Sequence, residues 1–536
     1  MVGAREQNIH VPAALEALAQ PHVESFDFFL EEGMRNLVRN LRAVEVFDPV
    51  NNEAYSFWIS DISVSRPMKD EASSSVLDMR LLPRECREAG TTYRAPLEVE
   101  VSWKASSSTT VQSITKRIGQ LPIMLKSQAC YLKHMNMDEL RQVGEEGTEF
   151  GGYFICNGIE RIIRMLIVTR RHYILALKRG AYRKRGPLFS DFGTTVRCVR
   201  NDESSITNRC HYLVDGGVVF SIVLNKAEYF VPAGIMLKCF YDVSDKEIYE
   251  SILALSKTDD AHSIFVAERV EVLLNQCSRL GLVSKRQCLE YLGSLFRGVL
   301  GSAESKTDYE VGGDLIRDNL FVHLEDGKDK LNLAYQMISK LYALVNGQCS
   351  EDNPDALTHQ EALLPGHLLL KFMREQLEVC LDMIKDQVRR DRETGATQVN
   401  LHDEAYGRKL LDRWPDVGQK FEYLLNTGNM VSRSGLDLSQ ATGFTVVAEK
   451  LNFYRYVSCF SLAVHRPLFV VLFLLLPLVS GFLLPTTSSR LGMRLLLFRL
   501  YFLSRPQGRG DCTSIQLIHL KPSGSTLRWE IPASSV

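Results

Sequence analysis

A chain of 536 residues, 45% hydrophobic and 24% charged, has room for roughly two to four domains and a large core held without covalent staples. Its formal net charge of −1 excludes a polypeptide that is basic throughout, so any surface for anions must be local. The composition also excludes collagenous and disordered classes, and twelve cysteines without a single CxxC argue against a zinc ribbon or a thioredoxin-like motif.

The first predicted element is a helix in "HVESFDFFLEEGMRNLVRNL", where Phe26, Phe29, Leu30, Met34, Leu37, Val38 and Leu41 recur at helical spacing. Alternation in "AYSFWISDISVSRP" and "PLEVEVSWKA" predicts half-exposed strands, with polar connectors at "DEASSSVL" and "ASSSTTVQS". "IGQLPIMLKSQACYL" reads as an extended segment leading into a short helix. Next, two apolar runs, Tyr153–Cys156 and Ile159–Met165, meet at Asn157-Gly158. Asn-Gly suits a type I′ hairpin turn, whose two central residues both need φ > 0. The preceding Gly151-Gly152 pair allows a sharp bend into the first strand.

Several more short strands are expected through Asn225, with turns at Arg179-Gly180 and Asp215-Gly216-Gly217. From about Ser244 the period becomes helical, in "DKEIYESILAL", "AHSIFVAERVEVLLNQCSRLG", "SKRQCLEYLGSLFRGVLG" and "NLAYQMISKLYALVNGQ". Ser284 and Gln287 form a capping box for the third of these, and Gly347 closes the fourth. A long helix follows in "HLLLKFMREQLEVCLDMIKDQVRRDRE", with Leu370, Met373, Leu377, Leu381, Ile384 and Val388 on one stripe.

Between Arg161 and Arg185 stand nine Lys or Arg and no Asp or Glu. Two readings are open: a solvated strand-and-turn surface balanced by acids from elsewhere, or a surface that tracks a phosphate backbone. Tyr173 and Tyr182 could stack on bases or serve as packing residues. No P-loop, GxSxG elbow or HExxH occurs, and no Asp cluster has the spacing of a two-metal site. No catalytic and no metal-ligating residue is therefore assigned. The N-terminus lacks the apolar core of a secretory signal, so a reducing, intracellular setting is expected.

Several segments resemble, in order, the second-largest, beta-like subunit of multisubunit DNA-dependent RNA polymerases. "EFGGYFICNGIERIIR" resembles the family's GGYFIxNGxE signature, here Gly151, Gly152, Tyr153, Phe154, Asn157, Gly158 and Glu160. "PHVESFDFFLEEGM", "LPIMLKSQACYL", "DNLFVHL", "KLNLAYQMISKLYALVNGQ" and "GNMVSRSGLDLSQATGFTVVAEKLNFYRYVS" resemble its opening, ML(R/K)S, lobe and fork segments. "SDFGTTVRCVRNDESSITNRCHYL" is most similar to the RNA polymerase I version. The match runs over residues 20–458.

The resemblance implies an α+β fold in which a protrusion (20–195) is interrupted by a lobe (196–375) and resumes with the start of a fork (376–458). It implies a subunit that lines a DNA cleft, inactive alone, with the largest subunit and other polymerase subunits as partners and DNA template and RNA in the complex. This chain would bind no cofactor, since the largest subunit would hold the Mg²⁺, and nucleus and nucleolus would be its location. Arg183, Lys184, Arg185 and Arg433 are the residues expected near nucleic acid.

After residue 458 the resemblance ends, and 459–536 is expected to be a divergent, poorly ordered hydrophobic tail. Its run "PLFVVLFLLLPLVSGFLLP", 467–485, carries no charge and approaches the length of a bilayer span, but Pro477 would disturb a helix there. A membrane role is not expected. The alternatives are a membrane-anchored, non-enzymatic interaction protein and a fragment that binds polymerase partners without incorporation.

Overall fold

The structure is a computed structural model and describes residues 13–460 apart from 49–52, 70–78, 225–226, 257–259, 301–305, 395–400 and 402–403. The expected tail, with its apolar run at 467–485, lies outside the described residues except for Cys459 and Phe460. Those two end a short helix, Phe453–Cys459, and Phe460 is buried edge-on against His22, with ring centroids 5.1 Å apart. Among the described residues no helix is long and apolar enough to cross a membrane.

The opening helical pattern folds as Ala13–Phe28 and Met34–Asn40, joined through a π-helical turn at Phe29–Gly33. The wider turn keeps both Phe26 and Phe29 buried, with Met34 and Leu37 on the same core. Four antiparallel strands follow: β1 (Val44–Asp48), β2 (Glu53–Val64), β3 (Arg94–Ala105) and β4 (Gln112–Pro122), in spatial order β1-β2-β3-β4. The inward residues of β3, Leu97, Val99 and Val101, have no solvent exposure. Beyond β4 the chain runs through tight turns, and the helix expected near Cys130 is displaced to Met137–Gln142. Lys126 at φ 61° cannot continue a right-handed helix, and the Ser127 hydroxyl turns back to the Met124 carbonyl.

The Asn-Gly hairpin is present as β5 (Phe154–Cys156) and β6 (Ile159–Ile163), with Asn157 at φ 51° and Gly158 at φ 75°. β7 (Leu166–Thr169) leads out of this region. A five-stranded antiparallel meander then forms from β8 (Leu175–Lys178), β9 (Phe189–Val199), β10 (Ser205–Leu213), β11 (Val218–Leu224) and β12 (Ala227–Pro232). Of the four expected helices, Gly327–Val345 packs on its strands, while Asp245–Leu255, Asp260–Arg279 and Lys285–Leu300 pack on neighbouring helices. The Ser284–Gln287 box forms, the Gln287 side chain accepting from Ser284 N–H at 3.2 Å.

The chain returns through β13 (Gln360–Leu363), which pairs with β7, into the long helix Pro365–Thr394. All six residues of its expected stripe are buried. β14 (Thr445–Val447) then joins β6, giving a three-stranded sheet in the order β14-β6-β5.

Two hydrophobic cores result, one nested in the other along the chain. The first is built from residues between Ala19 and Ile163 and again between Leu363 and Phe460. The second runs from Val196 to Tyr342. The sheet on the second core already begins at Leu175, ahead of the division expected at residue 196, which falls inside β9. The long helix belongs to the first core from Leu368 onward, ahead of the division expected at 375.

Candidate nucleic-acid interface

The glycine hairpin is held from below by a buried ionic network. Gly151, at φ 72°, passes so close to Leu125 that a Cβ would lie 2.5 Å from its carbonyl oxygen. Gly158 needs its αL turn conformation and also abuts Gly90, whose Cα would be 2.9 Å from an added Cβ. Gly152 is likewise left-handed, at φ 83°. Between them Tyr153 and Phe154 point into the core, Phe154 packing edge-on against Phe26 with centroids 5.4 Å apart.

The Tyr153 hydroxyl donates to Glu149 at 2.8 Å and accepts from Arg87 Nη2 at 2.9 Å. Arg87 also donates to Glu145 at 2.7 Å and, through Nε, to Glu160 at 2.8 Å. Lys450 closes the network from the C-terminal side, 3.6 Å from Glu149 and 3.5 Å from Glu160, with its ammonium 5.4 Å above the Tyr153 ring. Burial works against the Arg87 charge, but Tyr153 and the carboxylates outweigh it and raise its pKa. Burial first, then Glu149 and Glu160, raises that of Tyr153. The signature residues thus fasten the helix Pro83–Ala89, the hairpin and the segment before Phe453 into one block. Their geometry is that of a scaffold.

The basic stretch resolves into two populations. Arg171 is gripped by Glu361 and Glu203, and the buried Arg197 by Glu361, so acids distant in sequence neutralise them. Arg185 reaches Glu228 with two donors and stacks over the Tyr182 ring at 5.1 Å. Tyr182 itself is buried edge-on against His211, with centroids 4.6 Å apart. Gly193 makes room for it, since a Cβ there would stand 2.9 Å from the ring. These anchors fix the 3₁₀ turn Gly180–Arg185 to the meander. The other cations here face outward: Arg179, just before the turn, and Lys184 are exposed, and Arg183, with 70% of its side chain exposed, pairs with Asp191 at 2.6 Å. Tyr173 stacks on His359 beneath the Arg170 guanidinium, which makes it a packing residue.

Arg433 lies elsewhere, on the loop before β14, 3.3 Å from Asp382 of the long helix, both side chains exposed. The same loop is pinned by Glu375, which accepts from the Ser432 and Ser434 hydroxyls and from Ser434 N–H. Sequence reasoning missed the Arg171–Glu361–Arg197 clamp between the returning strand and the meander. Its acid lies far down the chain, and no local pattern points to it. Among the described residues no three His, Cys, Asp or Glu side chains converge on a possible metal site.

Residues 17–406 match the family model described as RNA polymerase beta subunit. Among curated proteins, a probable DNA-directed RNA polymerase I subunit RPA2 from Schizosaccharomyces pombe is 40% identical over 488 residues, covering 88% of this chain and 41% of the relative. DNA-directed RNA polymerase I subunit RPA135 from Saccharomyces cerevisiae is 39% identical over 499 residues, again covering 88% and 41%. Human DNA-directed RNA polymerase I subunit RPA2 is 36% identical over 454 residues, covering 85% and 39%. The chain therefore spans about 40% of the length of these relatives.

Proposed function

The chain belongs to the RNA polymerase beta-subunit family, and from that premise we propose that it acts as the front part of the second-largest subunit of a DNA-directed RNA polymerase of the rRNA-transcribing type. The observation that carries this reading is the family match over residues 17–406 together with the similarity to RNA polymerase I subunits from yeasts and human. The nested cores support a protrusion interrupted by a lobe, with the segment after the long helix as the start of a fork.

In this role the chain supplies cleft wall and assembly surface. The chemistry, attack of an RNA 3′-hydroxyl on the α-phosphate of a nucleoside triphosphate with cleavage of the α–β bond and release of pyrophosphate, belongs to the assembled polymerase, where the largest subunit would hold the Mg²⁺. The chain works in the nucleus, at the nucleolus. Arg179, Arg183 and Lys184 on the anchored turn, and Arg433 on the loop before β14, meet phosphates and position the duplex without reading its sequence. Arg185, spent on Glu228, serves that surface by holding the turn from behind.

Affinity purification of the tagged chain from nuclear extract tests the reading. The largest RNA polymerase I subunit is expected in near-equal amount. Recovery of the chain without any polymerase subunit overturns it.

A further inference from the structure

Between the helix Val417–Thr427 and β14 the chain forms a closed strap, with the Met430 amide donating to the Ala441 carbonyl at 2.9 Å across its base. Three consecutive residues of the strap are left-handed: Gly435 at φ 79°, Leu436 at φ 52° and Asp437 at φ 56°. The Leu438 amide closes this turn on the Gly435 carbonyl at 3.0 Å. Glycine adopts such a backbone freely, but a residue with a Cβ is strained in it, and successive left-handed residues persist only where their surroundings hold them.

What holds them is a contact with the other core. The strap belongs to the first core, on which Leu436 and Leu438 pack. Asp437 instead reaches β10 of the second core, where its carboxylate accepts from the Ser205 hydroxyl at 3.2 Å and the Thr207 hydroxyl at 2.8 Å. Behind Ser205 stands Lys371 of the long helix, a first-core element, whose buried ammonium donates to the same hydroxyl at 2.6 Å. One hydroxyl of the second core is thus inserted between a cation and an anion of the first, accepting from one and donating to the other. Burial and Arg197 draw the Lys371 ammonium down to about 8, and Asp437 opposes both.

Strain gathers along the same junction. Of the seven non-glycine residues with positive φ among the described residues, Leu436 and Asp437 are joined there by three more. Glu203, at φ 61°, pairs with Arg171 at 3.0 Å just beyond β7; His172, at φ 58°, lies against His323 with ring centroids 4.2 Å apart; and the amide of Phe321, at φ 46°, donates to the Asn208 side chain of β10 at 3.0 Å. Clustered strain of this kind marks clamps and switches. Asp437 is exposed, so its two bonds can exchange for water without unfolding either core.

We infer that the turn Gly435–Asp437 is a spring-loaded latch between the two cores. Seated on Ser205 and Thr207, Asp437 fixes the second core against the long helix; its release lets the left-handed turn relax and the second core move. β7 and β13, which carry the chain between the cores and pair with each other, remain as the hinge. The latch rests on contacts within this chain and stands whether or not the chain enters a polymerase.

Hydrogen exchange and a distance measurement on the full chain test this. The bond from the Leu438 amide reports the left-handed turn directly. That amide should exchange about tenfold faster or more in Asp437→Ala, and several-fold faster in Thr207→Val. Thr207→Val keeps the side-chain shape, which guards against a merely misfolded alanine variant. Dyes attached through azidophenylalanine in place of Ile264, exposed on the second core, and Tyr423, exposed on the first, report the spacing of the cores. One narrow energy-transfer population is expected for the unaltered latch and a second population in Asp437→Ala. Unchanged Leu438 exchange in both variants, or a single unshifted energy-transfer population in Asp437→Ala, overturns the inference.

Discussion

Arg185 grips Glu228 across the meander through two donors, Nε at 2.8 Å and Nη2 at 3.1 Å, and the Ser221 hydroxyl adds a third bond to the same carboxylate at 2.6 Å. Its neighbour Lys184 is exposed. Adjacent cations in one short turn therefore have different work. Arg185→Ala should cost ~1–3 kcal/mol of stability, because Glu228 is left half-buried with its main partner gone. Lys184→Ala should change stability by less than about 0.5 kcal/mol yet weaken DNA binding and flatten its salt slope. Urea unfolding and fluorescence anisotropy at several salt concentrations separate the two. An unchanged salt slope in Lys184→Ala would remove that residue from the interface.

His211 sits beneath the same turn, fully buried among Tyr182, Phe189 and Phe230, and neither ring nitrogen has a hydrogen-bond partner among the described residues. Burial, aided by Arg185 and Arg209 and opposed by Glu228, lowers its pKa to about 4. In the unfolded chain His titrates near 6.5. Between those values the unfolded state binds the extra proton, so stability is full above about pH 6.5 and drains away as pH falls toward 4. His211→Phe should flatten this part of the acid limb and hold or raise stability at neutral pH. Urea midpoints measured from pH 7 to 4.5 check it; parallel curves for both proteins would refute it.

Glu361 shows the opposite titration. Burial alone would raise its carboxyl, but the Arg171 amide and the Arg197 and Arg171 guanidinium groups outweigh burial and hold it below the ordinary value. Its stabilising contribution is present above the unfolded carboxyl pKa, about 4.3, and is lost as pH falls through the lower folded value. Glu361→Gln should weaken the junction between β13 and β7 at neutral pH and steepen no further in acid. Hydrogen exchange at β7 amides, followed at pH 7 and pH 3.5, reads this directly.

The Arg87 hub gives the largest expected loss. Arg87→Met leaves Glu145, Glu160 and the Tyr153 hydroxyl without the guanidinium that contacts all three, and breaking a buried ion pair of this kind costs ~3–5 kcal/mol. Gly151→Ala should also cost more than ~2 kcal/mol, from the left-handed backbone and the collision with the Leu125 carbonyl. Calorimetric unfolding of the two variants tests both values.

Local patterns carried much of the fold. Helical period located Asp245–Leu255 to the residue, and Asn157-Gly158 fixed its hairpin, because these signals depend on neighbours in sequence. The helix Asp308–Asn319 was not expected, since Gly312 and Gly313 depress its helical signal. Gly312 is there because a Cβ would lie 2.2 Å from the Leu289 carbonyl, a constraint set by a different helix. The charge balance of the basic stretch was hidden for the same reason: Glu228 and Glu361 meet their arginines only in three dimensions. Of the cations expected at the surface, Lys184 could be separated from Arg185 only once the Glu228 partner was seen.

Photocrosslinking from position 184 is the most direct test of a wall facing nucleic acid. The chain, carrying benzoylphenylalanine in place of Lys184, would be assembled into polymerase and loaded on template DNA, with exposed Ile264 on the helix Asp260–Arg279 as the control position. The expected result is a crosslink to DNA from 184 and none from 264. Equal labelling from both positions, or none from 184 in an assembled, DNA-bound complex, would contradict it.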